Sequence, residues 1–393
     1  MSEAVIVDAI RTPIGRAVKG TLRDIRADDL AAIPLRALVE RNPEVNFRET
    51  DDVMMGCGFP DHEQGYNVGR NALLLSGIDH HVPAVTVSRF CASSLQTIRM
   101  AFHAIKAGEG DQYIAAGVEC VSRGAAVTLP AMNPRIDGTN GTGYNVYIPM
   151  GLTAENVAAR CKVSRESQDE WAALSQQRAC AARESGHFDR EIVGVDIPEL
   201  HDAGGDVIEA HTVTSDDGPR EGTTAETLAR LKPVFKPGGS VTAGNACPLN
   251  DGAAAVLVMS EDKASALGLK PRARIVASAV AAVRPEIMGL GPIPAMRAVL
   301  KAAGMTIEDL DLVEMNEAFA AQVLPCRDEL GIDPDKLNIN GGAIALGHPF
   351  GMTGARIMTT LLNNLDEVEG RFGLETMCVA GGMGQAMIVE RLN

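Results

Sequence analysis

The chain has 393 residues, 46% hydrophobic but only 4% aromatic, and its 36 basic and 51 acidic side chains leave a net charge of -15. That balance disfavours a surface for nucleic acid or anionic lipid, so an anionic ligand has to meet a local basic site. The eight cysteines show no C-x-x-C pair and no clustering, which argues against a zinc site and a disulfide framework and favours a reducing compartment.

In chain order, the N-terminal residues lack the basic segment and long apolar core of a secretion signal and enter a strand directly at 4–9, so a cytoplasmic protein is expected. No apolar run approaches the roughly 20 residues of a membrane span. Alternating apolar positions predict further strands at 52–56, 84–90, 113–118 and 253–259, with helices between most of them. A second set follows at 272–283, 311–315, 337–344, 375–380 and 385–390, with helices over 295–303, 318–330 and 354–365. The order of elements repeats although the residues do not, which implies two α/β units of similar plan. About 130 residues separate the fourth and fifth strands of the first unit, too many for a structureless loop. They are read as an inserted subdomain, helical and polar, with its clearest helix over 168–185 and a position suited to a lid. The expected units are 1–118 plus 251–270, the insertion 119–250, and 271–393.

Four segments carry chemistry. Cys91 stands where the strand ending at Phe90 gives way to a helical face of Leu95, Ile98, Phe102 and Ile105. A helix N-terminus stabilises thiolate over thiol and is expected to lower the cysteine pKa, although a buried core cysteine fits the same position. Asn316 follows a strand and opens a helix, where a simple N-cap is the plain alternative. His348 lies in a run with five glycines, 340–354, at the strand-to-helix turn of the second unit that matches the Cys91 turn of the first. Two related units would bring them face to face, as a nucleophile and its base. Cys378 ends a strand beside Gly381-Gly382.

Together, Phe90-Cys91-Ala92-Ser93-Ser94, Asn316-Glu317-Ala318-Phe319-Ala320, Gly347-His348-Pro349 and Cys378-Val379-Ala380-Gly381-Gly382 resemble the motifs of the thiolase family. The segments 150–158, 241–246 and 288–292 extend the resemblance, in order, over nearly the whole chain. It implies a thiolase-like α/β fold of duplicated βαβαβαββ units, in five layers α-β-α-β-α, with an inserted helical loop subdomain. It implies an acyltransferase: reversible, CoA-dependent thiolytic cleavage of 3-ketoacyl-CoA to acetyl-CoA and a shortened acyl-CoA, or the reverse Claisen condensation. By the same resemblance the reaction is ping-pong through an acyl-Cys91 intermediate, with His348 deprotonating Cys91 and Cys378 moving the proton at carbon. His348 and a water held by Asn316 would make one oxyanion hole, and the backbone N–H groups of Cys91 and Ala380 the other.

Arg220, Thr227, Ala243, Gly244, Cys247, Met150 and Phe319 match positions near the nucleotide or pantetheine of coenzyme A. That molecule is expected as co-substrate, with no permanently bound cofactor and no metal. The chain departs from the family at Ala380, usually glycine, where a positive φ would bring strain. It departs also at Phe350, Met352 and Cys247, which suggests an altered acyl pocket. A homodimer or homotetramer is expected, with a β-oxidation subunit as a conceivable partner. Two rival readings remain at this point. A ketoacyl-synthase-type condensing enzyme would want histidine or asparagine where Cys378 stands, and a thiolase-like acyl-CoA or lipid-binding protein would not turn over.

Overall fold

A computed structural model describes residues 2–124, 132–139, 142–201 and 207–393; parts of the expected insertion lie outside them. The first unit contributes β1 (Ala4–Arg11), α1 (Ala27–Arg41), β2 (Asp52–Cys57), α2 (Val68–Ser76), β3 (Ala84–Val87), α3 (Ser93–Ala107), β4 (Gln112–Cys120) and, beyond the insertion, β5 (Asn250–Ser260). The insertion holds α4 (Met150–Cys161) and α5 (Arg165–Glu184). The second unit runs β6 (Ala273–Ala282), α6 (Pro292–Ala303), β7 (Leu312–Met315), α7 (Ala320–Leu330), α8 (Ala343–Leu346), α9 (Thr353–Glu367), β8 (Phe372–Val379) and β9 (Met383–Arg391).

The strands lie in the order β7-β8-β9-β6-β1-β5-β4-β2-β3. Read outward from the centre, each half repeats one plan: first strand, last strand, next-to-last strand, second strand. Among the described residues, the strands of the two halves pair where Val5 and Ile6 of β1 meet Arg274 and Ala273 of β6. Both of those strands carry a bulge, β1 between Ile6 and Asp8 and β6 between Ile275 and Ala277. Bulges bend the strands that hold them, and the two sheets fold over a shared middle layer.

Side-chain alternation makes the layers explicit, because successive residues of a strand point to opposite faces. Val53, Met55 and Leu257 pack under Leu35 and Leu38 of α1 and Leu73 of α2 in one outer core. Val256, Val258, Met387 and Val389 face the middle core with Leu95 and Ile98 of α3 and Ile357 and Leu361 of α9. Leu374, Ala386 and Ile388 face the other outer core with Met296 and Val299 of α6 and Val323 of α7. Helix, sheet, helix, sheet and helix follow one another, which is the expected five-layer α/β architecture.

Two expectations need correction. Residues 337–344 are not a strand: a single parallel bridge, Val313 to Leu337, replaces the pairing that β2 and β3 make in the first unit. The chain then turns through Asn338 and Gly341, at φ of +49° and +81°, into the short helix α8, a geometry that no strand continues. Nor is the insertion purely helical, since Val195–Ile197 pairs with His211–Val213 and Leu200–His201 with Val207–Ile208. Its helix α5 packs into the body of the fold, with Trp171, Ala172 and Ala173 in the outer core of the second unit and Ala179 and Ala182 in the middle one. Among the described residues no helix is long and apolar enough to cross a membrane.

Candidate active site

Cys91 sits in an elbow. After β3 the chain passes Phe90, whose φ of +44° lies in the left-handed region that bulky side chains avoid. The Ser93 hydroxyl secures this turn, donating to the Phe90 carbonyl at 2.6 Å and accepting the Arg89 N–H at 2.9 Å. The thiol is 8% exposed. The expected lowering of its pKa does not occur: burial pushes it up to about 12, with the charge of Glu119 adding to this, and the N–H groups of Ala380 and Cys91 itself only partly oppose the rise. The helix N-terminus cannot offset the loss of water around the anion. At rest Cys91 is a thiol, and a base would be needed for it to act as a nucleophile.

His348 follows Gly347, whose φ is +114° and whose position leaves no space for a side chain, because a Cβ would lie 2.6 Å from Asn250 Cγ. Asn250 Oδ1 in turn accepts the His348 N–H at 3.0 Å. His348 Nδ1 is 2.6 Å from Thr353 Oγ1, and that hydroxyl donates its one proton to the Pro349 carbonyl at 2.7 Å. Thr353 therefore accepts from Nδ1–H, which leaves the lone pair on Nε2, the acceptor nitrogen of the ring. Burial, reinforced by the charge of Arg356, depresses the imidazole to about 3. The ring is neutral at rest, as a base must be.

Asn316 Nδ2 donates toward His348 Nε2 at 3.2 Å, while the Asn316 N–H is held by the Thr376 carbonyl of β8 at 2.9 Å. Its buried Oδ1 has no partner among the described residues. Two residues beyond Thr376, Cys378 is fully buried, and its thiol is raised by burial and then by the neighbouring thiols Cys91, Cys326 and Cys247. The positive φ values of this turn fall on Gly381 and Gly382, at +80° and +84°, and Ala380 is not among the residues with positive φ. Alanine at 380 adds no backbone strain. The two elements that carry the nucleophile and the histidine meet directly: the Ala355 N–H of α9 donates to Ser94 Oγ of α3 at 2.9 Å.

Around these groups lie two further surfaces. Cys378 shares an apolar cluster with Met150, Phe319 and Cys247, and the Phe319 ring meets Phe235 edge-on at 6.1 Å. Next to it a cleft is lined by Arg16, Gln176, Arg220, Ala243, Gly244 and Ile344. Neither Arg16 nor Arg220 forms an ion pair among the described residues, and burial and then the charge of Arg16 lower the Arg220 pKa. Thr227 is exposed beside this cleft and spends its hydroxyl on the Thr224 carbonyl at 2.8 Å. On the other side, rings run from Phe90 to Phe59 at 5.7 Å, to Phe350 at 5.7 Å and to His348 at 5.1 Å.

The sequence reading missed Arg16, Thr353 and the buried carboxylate Glu119. Only Arg16, two residues after Ile14 in a Gly-Arg turn, had any local signal, and it was an ordinary loop arginine.

Comparison with known proteins is consistent with this arrangement. The family models for "Thiolase, N-terminal domain" and "Thiolase, C-terminal domain" match residues 4–262 and 269–391. The chain is 48% identical to a 3-ketoacyl-CoA thiolase of Cronobacter sakazakii, over the full length of both chains. It is 47% identical to a beta-ketoadipyl-CoA thiolase of Acinetobacter baylyi, again over both full lengths. The solved acetyl-CoA acetyltransferase of Bacillus anthracis superposes with a TM-score of 0.90 at 39% identity, covering 100% of this chain and 99% of that one. By fold, by site geometry and by these matches, the chain belongs to the thiolase family.

Proposed function

We propose that this thiolase cleaves 3-ketoacyl-CoA with coenzyme A as co-substrate, and runs the condensation in reverse, with Cys91 as nucleophile, His348 as its base and Cys378 as the acid and base at carbon. What supports the reading is one arrangement: two buried thiols, close enough for Cys91 to raise the pKa of Cys378, and a neutral imidazole that keeps its lone pair on Nε2, on a turn whose following helix bonds to the helix after Cys91.

In the cleavage direction, Cys91 Sγ gives its proton to His348 Nε2 as sulfur attacks the keto carbon. With Cys91 held near 12 and His348 near 3, neither charge is stable alone, so proton transfer accompanies bond formation. The Nε2–H created in that step becomes a donor for oxygen that gains charge, and the unpartnered Asn316 Oδ1 suits a water in the same place. The bond between the α and keto carbons then breaks, and the carbanion of acetyl-CoA takes the Cys378 proton. The thiol of coenzyme A next gives its proton to the Cys378 thiolate and attacks the acyl-Cys91 thioester, whose oxygen would be met by the N–H groups of Cys91 and Ala380; the bond from the acyl carbon to Cys91 Sγ breaks, and that sulfur takes back the proton from His348 Nε2.

Arg16 and Arg220 are suited to the phosphates of coenzyme A, and Met150, Phe319, Cys247, Ala243 and Gly244 to its pantetheine. The half-exposed rings of Phe59, Phe90 and Phe350 would line the acyl side. No bound cofactor beyond coenzyme A, a cytoplasmic location and assembly as a dimer or tetramer complete the proposal. The test is to incubate the protein with coenzyme A and either acetoacetyl-CoA or a longer 3-ketoacyl-CoA, following loss of the ketoacyl thioester. Loss of at least one is expected; loss of neither leaves an acyl-CoA-binding protein.

A further inference from the structure

Glu119, at the end of β4, is a carboxylate that the reaction above does not use, and it is 1% exposed. It accepts hydrogen bonds from three separate parts of the chain. Its Oε2 takes the Gly58 N–H at 2.7 Å and the Gly351 N–H at 2.8 Å; its Oε1 takes the Phe59 N–H at 3.2 Å and Gln64 Nε2 at 3.1 Å. Gly351 belongs to the His348 turn, whereas Gly58 and Phe59 continue β2 in the half of the molecule that carries Cys91.

The contact between these halves is bare backbone. A Cβ on Gly351 would lie 2.1 Å from the Val118 carbonyl, and one on Gly58 would lie 2.7 Å from Glu119 Oε2 and 2.9 Å from Phe350 Cβ. The backbones approach too closely here for a side chain at Gly351 or Gly58, and the Glu119 carboxylate bonds to both.

We propose that Glu119 is a positioning residue of the catalytic site, clamping the His348 turn onto the Cys91 half of the fold through both of its carboxylate oxygens. Four donors make the anion tolerable where it lies, yet burial still raises its pKa to about 7. The titratable groups in its field are the thiols of Cys91 and Cys57, both raised by it, and Asp61 acts on Cys57 alongside it. The charge of Glu119 adds to burial, the larger cause, in holding Cys91 protonated. Protonation of Glu119 removes this restraint and also weakens all four bonds of the clamp.

The inference rests on the thiolase reading, and two variants separate its parts. Glu119→Gln keeps the shape and removes the charge; Glu119→Asp keeps the charge and shortens the reach. Turnover of acetoacetyl-CoA is measured together with alkylation of Cys91 by iodoacetamide at pH 8, located by peptide mass spectrometry. For Glu119→Gln we expect kcat to fall at least tenfold at a KM within twofold of wild type, while alkylation of Cys91 becomes several-fold faster. For Glu119→Asp we expect kcat to fall at least fivefold with alkylation at the wild-type rate. Wild-type kcat in both variants overturns the proposal, and so does faster alkylation in both, which marks simple loosening of the fold. Should Glu119→Gln fail to fold, Glu119→Asp decides alone: reduced kcat with unchanged alkylation supports the clamp, and any other result overturns it. A wild-type protein that does not cleave ketoacyl-CoA refutes the thiolase reading instead, and Cys91 alkylation remains measurable in that case.

Discussion

His348 owes its neutral state to burial, and that has a cost the solvent can reveal. In the unfolded chain the imidazole titrates near its ordinary value of about 6.5, whereas in the fold it is depressed to about 3. Between those values the unfolded chain binds the extra proton and the folded one does not, so stability is lost as pH falls through this window. Relative to a His348→Asn variant, the wild type should lose about 3 kcal/mol more between pH 7 and pH 4. Denaturant unfolding at the two pH values measures this, and equal losses would show that the ring is not held neutral. Residue identity was legible in this site, while residue chemistry was not. Glycines, proline and a strand end marked His348 and Cys378, but the sequence suggested a lowered Cys91 pKa because the helix N-terminus is local and visible. Burial is a sum over the whole fold, and it reverses the sign. Glu119 was illegible for the same reason, since its donors come from other parts of the chain, and Thr353 because a threonine five residues after a histidine carries no signal until the turn between them folds.

At the level of elements, strands whose alternation is continuous were legible. The pattern of β1, β5, β8 and β9 names both faces, and the structure fills those faces with two different cores. The segment 337–344 misled because its apolar residues, Leu337, Ile339 and Ile344, have strand character, while the backbone is set by Asn338 and Gly341. The same dependence on glycine explains how closely the catalytic elements approach. A Cβ at Gly117 of β4 would lie 2.1 Å from the Gly351 carbonyl and 2.6 Å from Ser94 Cβ. Gly117→Ala therefore has to push the His348 turn and the start of α3 away from the sheet. Overpacking of this kind costs about 1–3 kcal/mol. A melting temperature lowered by several degrees and a kcat reduced at least tenfold are expected. Wild-type kcat in a destabilised variant would show that the turn moves without consequence.

Across the whole molecule, a net charge of -15 sits poorly with an anionic substrate, and the fold answers locally. Gly15–Arg16 pairs with Asn250 and Asp251 at the start of β5, which brings Arg16 to the cleft of Arg220 from a remote point in the sequence. Arg16→Ala should raise the KM for coenzyme A about tenfold, the effect of losing one charge-assisted contact of roughly 1.4 kcal/mol, with kcat unchanged. Steady-state kinetics in low salt check it, and a fall in kcat at constant KM would place Arg16 in the chemistry. Duplication supplies the larger design: each unit delivers one turn of the proposed site, Cys91 before α3 and His348 before α9, and the end of β8 adds the second thiol. The most direct measurement of this division of labour is intact-protein mass spectrometry of a Cys378→Ala variant, exposed briefly to acetyl-CoA and then assayed for condensation. An acetyl group on Cys91 with no acetoacetyl-CoA formed is the predicted result. No adduct on Cys91, or condensation at the wild-type rate, would contradict the roles assigned to the two sulfurs.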